Sequence, residues 1–586
     1  MINKILIILF SALCIFALDY ANNKKKNEKL KEAEAAKKQA ADKKKKNKHK
    51  NKPVTAEEVQ TEVIEKQDFI TKYYKVLIVL ILIIGVLVRS VLFWQYPLGI
   101  NQDEASVVYD TYADLEYGFD RNGDHNPVYS VAWGSGHSSL YITFSKPFIA
   151  LFGLNMFSAR IVNVLFSCIA LFAFYGILKR LLSKKGALLG TLIFAVCPWH
   201  IMMARWALEC NLFPNVFILA TYFLVRGFEN EKFYIPSLFV YALSLYAYGT
   251  SYMIVPVFVL IMAIYLMKHK KITLKTLIIS AVVFIVTAIP IMLFMAVNML
   301  GAPEMDFGFM SVPKLINGRY NTTVTVLSGD FFTTSINNLR TFFKILFTQN
   351  DGLPWNAVIP YGTIFMFSIP FMLTGFIYVI YDVIKKKKTF NPNVIAIAMT
   401  VSMFVLAMLS DLNINRANFP MVVITLLTVY GVYFVLKNIK QAVIPVVLVY
   451  LIAFGMFTNH YFTDYQEEIG WHFSHGFGDA IKYADEEASG NIYMTSNINA
   501  PYIKAMFYLK TDPQVFIDTV DYPQPDSQCR YVNSFDRYYT GVPAPLPEGD
   551  DNAYIFTNGE YDQRTDFNKD DYETKVFGHY TVAIKK

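Results

Sequence analysis

From Val76 onward the chain alternates between long apolar runs and short polar connections. The runs occupy 76–94, 157–178, 187–203, 212–225, 234–249, 252–267, 275–299, 361–384, 392–410, 419–436 and 441–459. A helix rises about 1.5 Å per residue and a bilayer's hydrocarbon core is about 30 Å thick, and the repetition of these runs between polar connections reads as about eleven candidate transmembrane helices. An earlier run, ILIILFSALCIFAL over 5–18, falls short of the roughly 20 residues a span needs. No small-residue cleavage site separates it from the lysines that follow, so 1–21 reads as an uncleaved hydrophobic anchor or interfacial helix. Beyond 460 the periodicity changes. FGDAIKYADEEA has the pattern of an amphipathic helix, and NIYMTS, CRYVNS, NAYIFTN and KVFGHYTVAI have strand character. The expected fold is therefore an α-helical polytopic membrane protein over 71–459, followed by a small α/β domain over 460–586.

Composition supports the membrane class: 54% of the 586 residues are hydrophobic, 16% aromatic and 17% charged, more apolar side chain than a soluble domain buries. The net charge of +7 is local. Residues 22–53 hold fourteen Lys against Glu28, Glu32, Glu34 and Asp42, which leaves 40 basic and 43 acidic residues elsewhere. The Lys-rich segment 22–70 thus reads as a solvated cytoplasmic tract near anionic lipid, and nucleic acid is not an expected partner. Every second connection between apolar runs is also basic: Lys179, Arg180, Lys184 and Lys185; Lys268, Lys270 and Lys271; Lys385 to Lys388; Lys437 and Lys440. By the positive-inside rule these face the cytoplasm. Connections 95–156, 204–211, 300–360 and 411–418, together with 460–586, then face outward.

The unusual chemistry lies in those outward connections. GINQDEASVVYD carries Asp103 and Glu104 just after the first long run, at the bilayer boundary, where an acid is costly without a partner or a task. PWHIMMARWALECNLFP carries Arg205 and Glu209, four apart, which would share one face of a continuous helix and could form a plain helix-end ion pair. DLNINRANFP carries Asp411 and Arg416. Tyr109, Tyr112, Tyr117, Trp133 and Tyr141 read as an aromatic belt or as the lining of a cleft, and 300–360, with Trp355, as a closing loop or a passive packing segment. Asp103, Glu104 and Glu209 are hard oxygen ligands suited to Mg or Mn, whereas no His or Cys spacing fits zinc. Cys529 is the sole cysteine after 460, so an internal disulfide is not expected there.

The order of these features resembles a known family. An Asp-Glu pair after the first span, a long outer loop, LFG and AR (Phe152, Gly153, Ala159, Arg160), then Pro198, Ala204, Arg205 and Glu209 are similar to the GT-C glycosyltransferases. The nearest form is family 39, the protein O-mannosyltransferase and aminoarabinose-transferase type, in its broad bacterial version. The resemblance covers 76 to about 460 and is strongest over 99–215. It implies a transmembrane catalytic domain that takes a sugar from a polyprenyl-phosphate donor at the outer face and inverts the anomeric centre. The acceptor would be a protein, lipid or cell-envelope glycan. By the resemblance Asp103 is the general base, Glu104 holds Asp103 or the sugar, and Glu209 orients donor or acceptor. Arg205 and Arg416 are candidates for the donor phosphate. Family members often carry Lys-Pro-Pro-Leu in the first outer loop; here GHSSLYITF stands in its place, so His137 or Lys146 would take the phosphate contact. The expectation is that no metal is required, with Mg or Mn left open. A transporter or lipid flippase for a lipid-linked sugar is the alternative, but it would more often place charges within spans and matched breaks in two halves, whereas here the spans are mostly clean, the charges cluster on the outward side and no internal repeat is evident.

Overall fold

The computed structural model describes residues 69–133, 135–315, 330–525, 531–549 and 551–586. The anchor over 1–21, nearly all of the Lys-rich segment, Asn321 and Cys529 lie outside the described residues.

Each of the eleven apolar runs from residue 76 onward contains a helix. Chain order gives α1 (Tyr74–Ser90), α2 (Gln102–Glu116), α3 (Ser139–Phe152), α4 (Met156–Leu181), α5 (Lys184–Ala195), α6 (Pro198–Met203) and α7 (Glu209–Gly227). Next come α8 (Tyr234–Ser244), α9 (Ser251–Lys268), α10 (Leu274–Met299), α11 (Phe331–Thr348), α12 (Ile369–Lys385), α13 (Val394–Leu409), α14 (Asn418–Asn438) and α15 (Val443–Phe462). Six of these, α4, α9, α10, α12 with the 3-10 turn before it, α14 and α15, are long and apolar enough to cross a bilayer. Of the rest, α1, α5, α6, α8 and α13 are shorter than their runs, whereas α7 extends beyond the run 212–225. The run 187–203 is split because Pro198 has no N–H and forces Cys197 into an extended conformation, so α5 ends and α6 starts with proline in its first turn.

Burial distinguishes the helices. On α15, Ile444, Leu448, Ile452 and Met456 recur every four residues and are all exposed, a stripe that only lipid would cover. In contrast α14 is buried nearly all round. It reaches close contact with α12 through two glycines: a Cβ on Gly375 would land on the Leu427 carbonyl, and one on Gly431 on that of Phe371.

Between α2 and α3 the chain forms a hairpin, β1 (Tyr129–Ala132) and β2 (Ser135–Ser138), with Ser130 opposite His137. Trp133, in its turn, has a left-handed φ of 56°. A short pair, β3 (Met305–Asp306) and β4 (Ser311–Val312), follows α10. After α15 come α16 (Asp464–His472), α17 (Phe477–Glu487), β5 (Ile492–Met494), α18 (Pro501–Leu509) and α19 (Pro513–Thr519). The strands β6 (Ser534–Phe535), β7 (Tyr538–Thr540), β8 (Ala553–Thr557), β9 (Tyr572–Phe577) and β10 (Tyr580–Lys585) complete one sheet in the order β6-β7-β5-β8-β10-β9. The expected α/β unit is thus present, with β5 running parallel to both neighbours and the other pairs antiparallel. Alternation sets its two faces: Ala553 and Ile555 join the main core, while Tyr554 and Phe556 pack with Tyr493 on the opposite side.

This sheet unit is docked onto the segment that leads into α2. Ile100 N–H donates to the Phe473 carbonyl at 2.6 Å, Leu98 N–H to Gln466 Oε1 at 2.9 Å, and Tyr109 Oη to the Thr511 carbonyl at 2.5 Å. Gly99, at φ 79°, brings its backbone against Phe473 where a Cβ would collide with the carbonyl. The start of α2 is therefore held from below by the membrane helices and from above by the sheet unit.

Candidate active site

Helix α2 begins with a capping box: Asn101 Oδ1 accepts from Asp103 N–H at 2.9 Å, and Glu104 Oε2 accepts from Asn101 N–H at 3.3 Å. Adjacent helical residues point about 100° apart. The two acids therefore separate. Asp103 is partly exposed, whereas Glu104 is fully buried.

Glu104 does not touch the cavity that Asp103 lines. Its carboxylate accepts from Arg160 Nε at 2.7 Å and Nη2 at 3.0 Å, and from the Ala207 N–H at 2.7 Å. Arg160, also fully buried, spends its remaining donors on the carbonyls of Pro97 at 2.8 Å, Gly99 at 2.7 Å and Phe93 at 3.3 Å. This bidentate pair locks 93–99, the entry to α2, against α4. Glu104 thus holds the loop rather than Asp103 or a sugar.

Asp103 borders a cavity of about 400 Å³ whose other walls carry His137, Glu209 and Arg416. Glu209 is the first residue of α7, where the helix dipole favours an anion. Its Oε2 accepts from Ser138 N–H at 2.5 Å and lies 3.4 Å from His137 Nδ1. The far nitrogen of that ring, Nε2, is 3.0 Å from Ser106 Oγ. Burial works against the His137 imidazolium, but the hydrogen bond and charge of Glu209, helped by Asp103, outweigh it and raise the His137 pKa. Arg416 is partly exposed, donating from Nη1 to the Asp411 carbonyl at 2.9 Å, with its backbone N–H on Asn413 Oδ1 at 2.9 Å. One acid, one acid-held imidazole and one guanidinium therefore surround the same space.

Asp103 also lines a second cavity, of about 700 Å³, on the side of the sheet unit. Gln102, Asp103 and Trp133 belong to both linings, so they form the wall between the two.

Two expected donor residues lie elsewhere. Arg205 is fully buried and donates to the carbonyls of Val88 at 2.9 Å and Val91 at 2.8 Å, with its guanidinium 4.8 Å from the Phe462 ring centre. It closes the end of α1 instead of facing the cavity. Nor does it share a helix face with Glu209, because the chain leaves α6 at Met203 and re-enters a helix only at Glu209. Lys146 projects from α3 to Asp114 Oδ2 at 2.5 Å and Asn126 Oδ1 at 2.9 Å, in a separate cavity of about 320 Å³. Among the aromatics singled out in the first outer loop, Trp133 lines the cavity wall, whereas Tyr109 and Tyr141 anchor to the carbonyls of Thr511 and Ala159.

Sequence reasoning missed several polar groups on the elements around Asp103. Ser106, Asp110 and Asp114 follow it at three, seven and eleven residues, one polar stripe along α2 that helical periodicity could have exposed. Asp110 sits 3.7 Å from Arg121 in full burial, and burial pushes its pKa up to about 7 despite that guanidinium. Lys504 on α18 had no local signal at all. It is buried, bonded to Ser474 Oγ at 2.8 Å and the Asn499 carbonyl at 2.9 Å, and burial lowers its pKa to about 7 against the pull of Asp103. As to metals, Glu104 is committed to Arg160, which leaves Asp103 and Glu209 as the hard oxygen ligands at the cavity. Among the described residues no group of three such ligands is assembled.

Comparison with known proteins agrees with this architecture. The family model described as dolichyl-phosphate-mannose-protein mannosyltransferase matches residues 138–294, from the end of β2 into α10. Among solved structures, the crystal structure of ArnT from Cupriavidus metallidurans bound to undecaprenyl phosphate aligns with a TM-score of 0.52 at 12% identity, over 88% of this chain and 98% of that one. The archaeal oligosaccharyltransferase AglB from Archaeoglobus fulgidus, in complex with an inhibitory peptide and a dolichol-phosphate, aligns at 0.47 and 11% identity over 75% of this chain and 64% of that one. This second likeness is too loose to carry an argument. No curated protein sequence matches the chain at a significant level. The fold resembles that of ArnT and the central segment 138–294 matches the mannosyltransferase family model, so the chain is a multi-pass membrane protein similar in fold to the GT-C glycosyltransferases.

Proposed function

We propose that the chain transfers a sugar from a polyprenyl-phosphate-linked donor to an acceptor hydroxyl at the outer face of the membrane, by a single inverting displacement with Asp103 as general base. The observation that carries this reading is Asp103 itself, a partly exposed carboxylate on the wall shared by two cavities, one of which holds the Glu209-paired His137 and an arginine. In the reaction the acceptor oxygen bonds to the anomeric carbon while the bond from that carbon to the lipid phosphate breaks. The acceptor proton passes to Asp103, and the bond electrons leave on the phosphate. A general base lowers the cost of the first event, and cations aimed at the developing charge lower the cost of the second. His137 and Arg416 supply those cations, with Glu209 acting through His137 as a positioning residue. The outer-face assignment follows from the lysines of alternate connections, which lie at the opposite helix ends from the Asp103 cavity. The fold neighbour from Cupriavidus metallidurans was itself crystallised with undecaprenyl phosphate, which fits a donor of that chemistry.

The test is a transfer assay with the full chain in nanodiscs, radiolabelled polyprenyl-phosphate sugars and an extract of candidate acceptors. Label is expected to move from lipid to acceptor. Movement of the lipid across the bilayer with no label transferred would replace this reading with the flippase one.

Two further outcomes follow. Because the leaving charge is met by His137 and Arg416, transfer is expected to survive exhaustive EDTA treatment; a loss restored by Mg or Mn would contradict this. Charged groups facing His137 are Glu209 from α7, Asp103 and Asp110 from α2, and Arg121 from the loop after it. The sum of these effects raises its pKa, so the imidazolium persists above the ordinary histidine value of about 6.5. Transfer should fall as pH rises through that raised value, and His137→Gln should remove this alkaline limb and leave a lower rate. The same shift contributes folding stability that is present below about pH 6.5 and lost as pH rises through the folded pKa.

A further inference from the structure

We infer that the 700 Å³ cavity between α2 and the sheet unit is the acceptor subsite and that it takes a neutral carbohydrate, so that the hydroxyl presented to Asp103 belongs to a glycan. This rests on the transferase reading above. The volume lies within the range of small-molecule sites, about 300–1,000 Å³. Its chemistry is what selects the ligand.

Among the described residues lining the cavity, Asp103 is the only charged one. Phosphorylated or carboxylated acceptors would therefore meet a like charge with no cation among the described lining residues, since Lys504 is turned behind the loop to Ser474 Oγ and the Asn499 carbonyl. The remaining polar lining consists of amides and hydroxyls: Gln102, Asn497, Asn499, Ser496 and Thr540. Such groups both donate and accept, as sugar hydroxyls require. Trp133 and Tyr502 supply aromatic surface, their rings set edge to face at 5.8 Å. Aromatic faces suit the C–H faces of a pyranose ring.

A peptide acceptor fits less well. The polar lining of 496–500 comes from the loop between β5 and α18 and not from an edge strand, so an extended peptide finds no ladder to join. The loop is also held in place from behind. Lys504 Nζ donates to the Asn499 carbonyl and to Ser474 Oγ, tying the lining to the segment next to Phe473, which in turn holds Ile100 two residues before Gln102. The subsite and the base therefore share one support.

The test is binding without donor, measured by calorimetry on the full chain in nanodiscs. The probes are a neutral trisaccharide of N-acetylglucosamine, its 6-phosphate, and an octapeptide containing Ser and Thr. The neutral trisaccharide is expected to bind most tightly. Asn499→Ala and Asn497→Ala, both exposed side chains whose loss leaves the Lys504 bond to the Asn499 carbonyl intact, should each weaken it about five-fold, the worth of one hydrogen bond. Donor-lipid binding at the other cavity should not move. Tighter binding of the phosphate or the peptide, or unchanged glycan binding in both variants, would overturn the inference. Glycan binding that responds to the variants in a chain that transfers no label would overturn the transferase reading and leave a glycan site standing.

Discussion

Asp103→Asn is expected to lower the transfer rate by about 10²- to 10⁴-fold, the usual worth of a positioned general base, with donor-lipid binding unchanged. The substitution is close to isosteric, and the capping contact at this position is made by the backbone N–H of residue 103, not by its side chain. Helix α2 should therefore start where it does in the wild type, and Asn101 and Glu104 keep their reciprocal bonds. What is lost is a group able to take the acceptor proton. Single-turnover transfer in nanodiscs separates this from slow product release, and a direct donor-binding measurement separates it from a disturbed cavity. A variant that transfers at the wild-type rate would remove Asp103 from the mechanism.

Arg160→Ala carries the largest expected effect on stability. It leaves the fully buried Glu104 carboxylate with hydrogen bonds from the Ala207 and Asn101 N–H groups but no cation, and it leaves the carbonyls of Phe93, Pro97 and Gly99 without their donor. Breaking a buried pair from one side costs about 3–5 kcal/mol, because the surviving charge stays desolvated. The loss should appear as a lowered melting temperature in detergent and as reduced activity, since 93–99 delivers the chain to α2. Replacing both partners, as in Arg160→Met with Glu104→Leu, should recover part of the stability, because no unpaired charge then remains. If Arg160→Ala melted within about 0.5 kcal/mol of the wild type, the range of an ordinary surface change, the pair would not be what holds the loop.

The prediction of two neighbouring acids acting together illustrates where sequence reasoning stopped. Asp103 and Glu104 look equivalent in GINQDEASVVYD, yet one rotation step of the helix sends the first to a cavity and the second into a fully buried pair with a residue on another helix. Arg205 and Glu209 show the converse error. Their spacing of four implies a shared face only if the helix runs through, and the irregular segment 204–208 prevents that. Lys146 was read by distance along the chain from GHSS, but α3 carries it away to Asp114. Arg416, read only as one cation among several, is brought into the cavity by the turn before α14.

Local properties were legible in advance. Among the described residues, each of the six helices long and apolar enough to cross a bilayer coincides with one of the eleven expected runs, since spanning is a requirement on consecutive residues, and the strand pattern marked β5, β8, β9 and β10 but not β7. The sequence by itself determined a membrane chain with its distinctive acids between particular spans, in an order that resembles the GT-C glycosyltransferases. Only the tertiary structure decided which acid faces a cavity, which arginines are consumed by backbone carbonyls, and that α18 of the sheet unit packs beside Asp103. The reason is physical: those outcomes depend on side-chain direction and on partners drawn from far along the chain, and neither is encoded in any short window of residues.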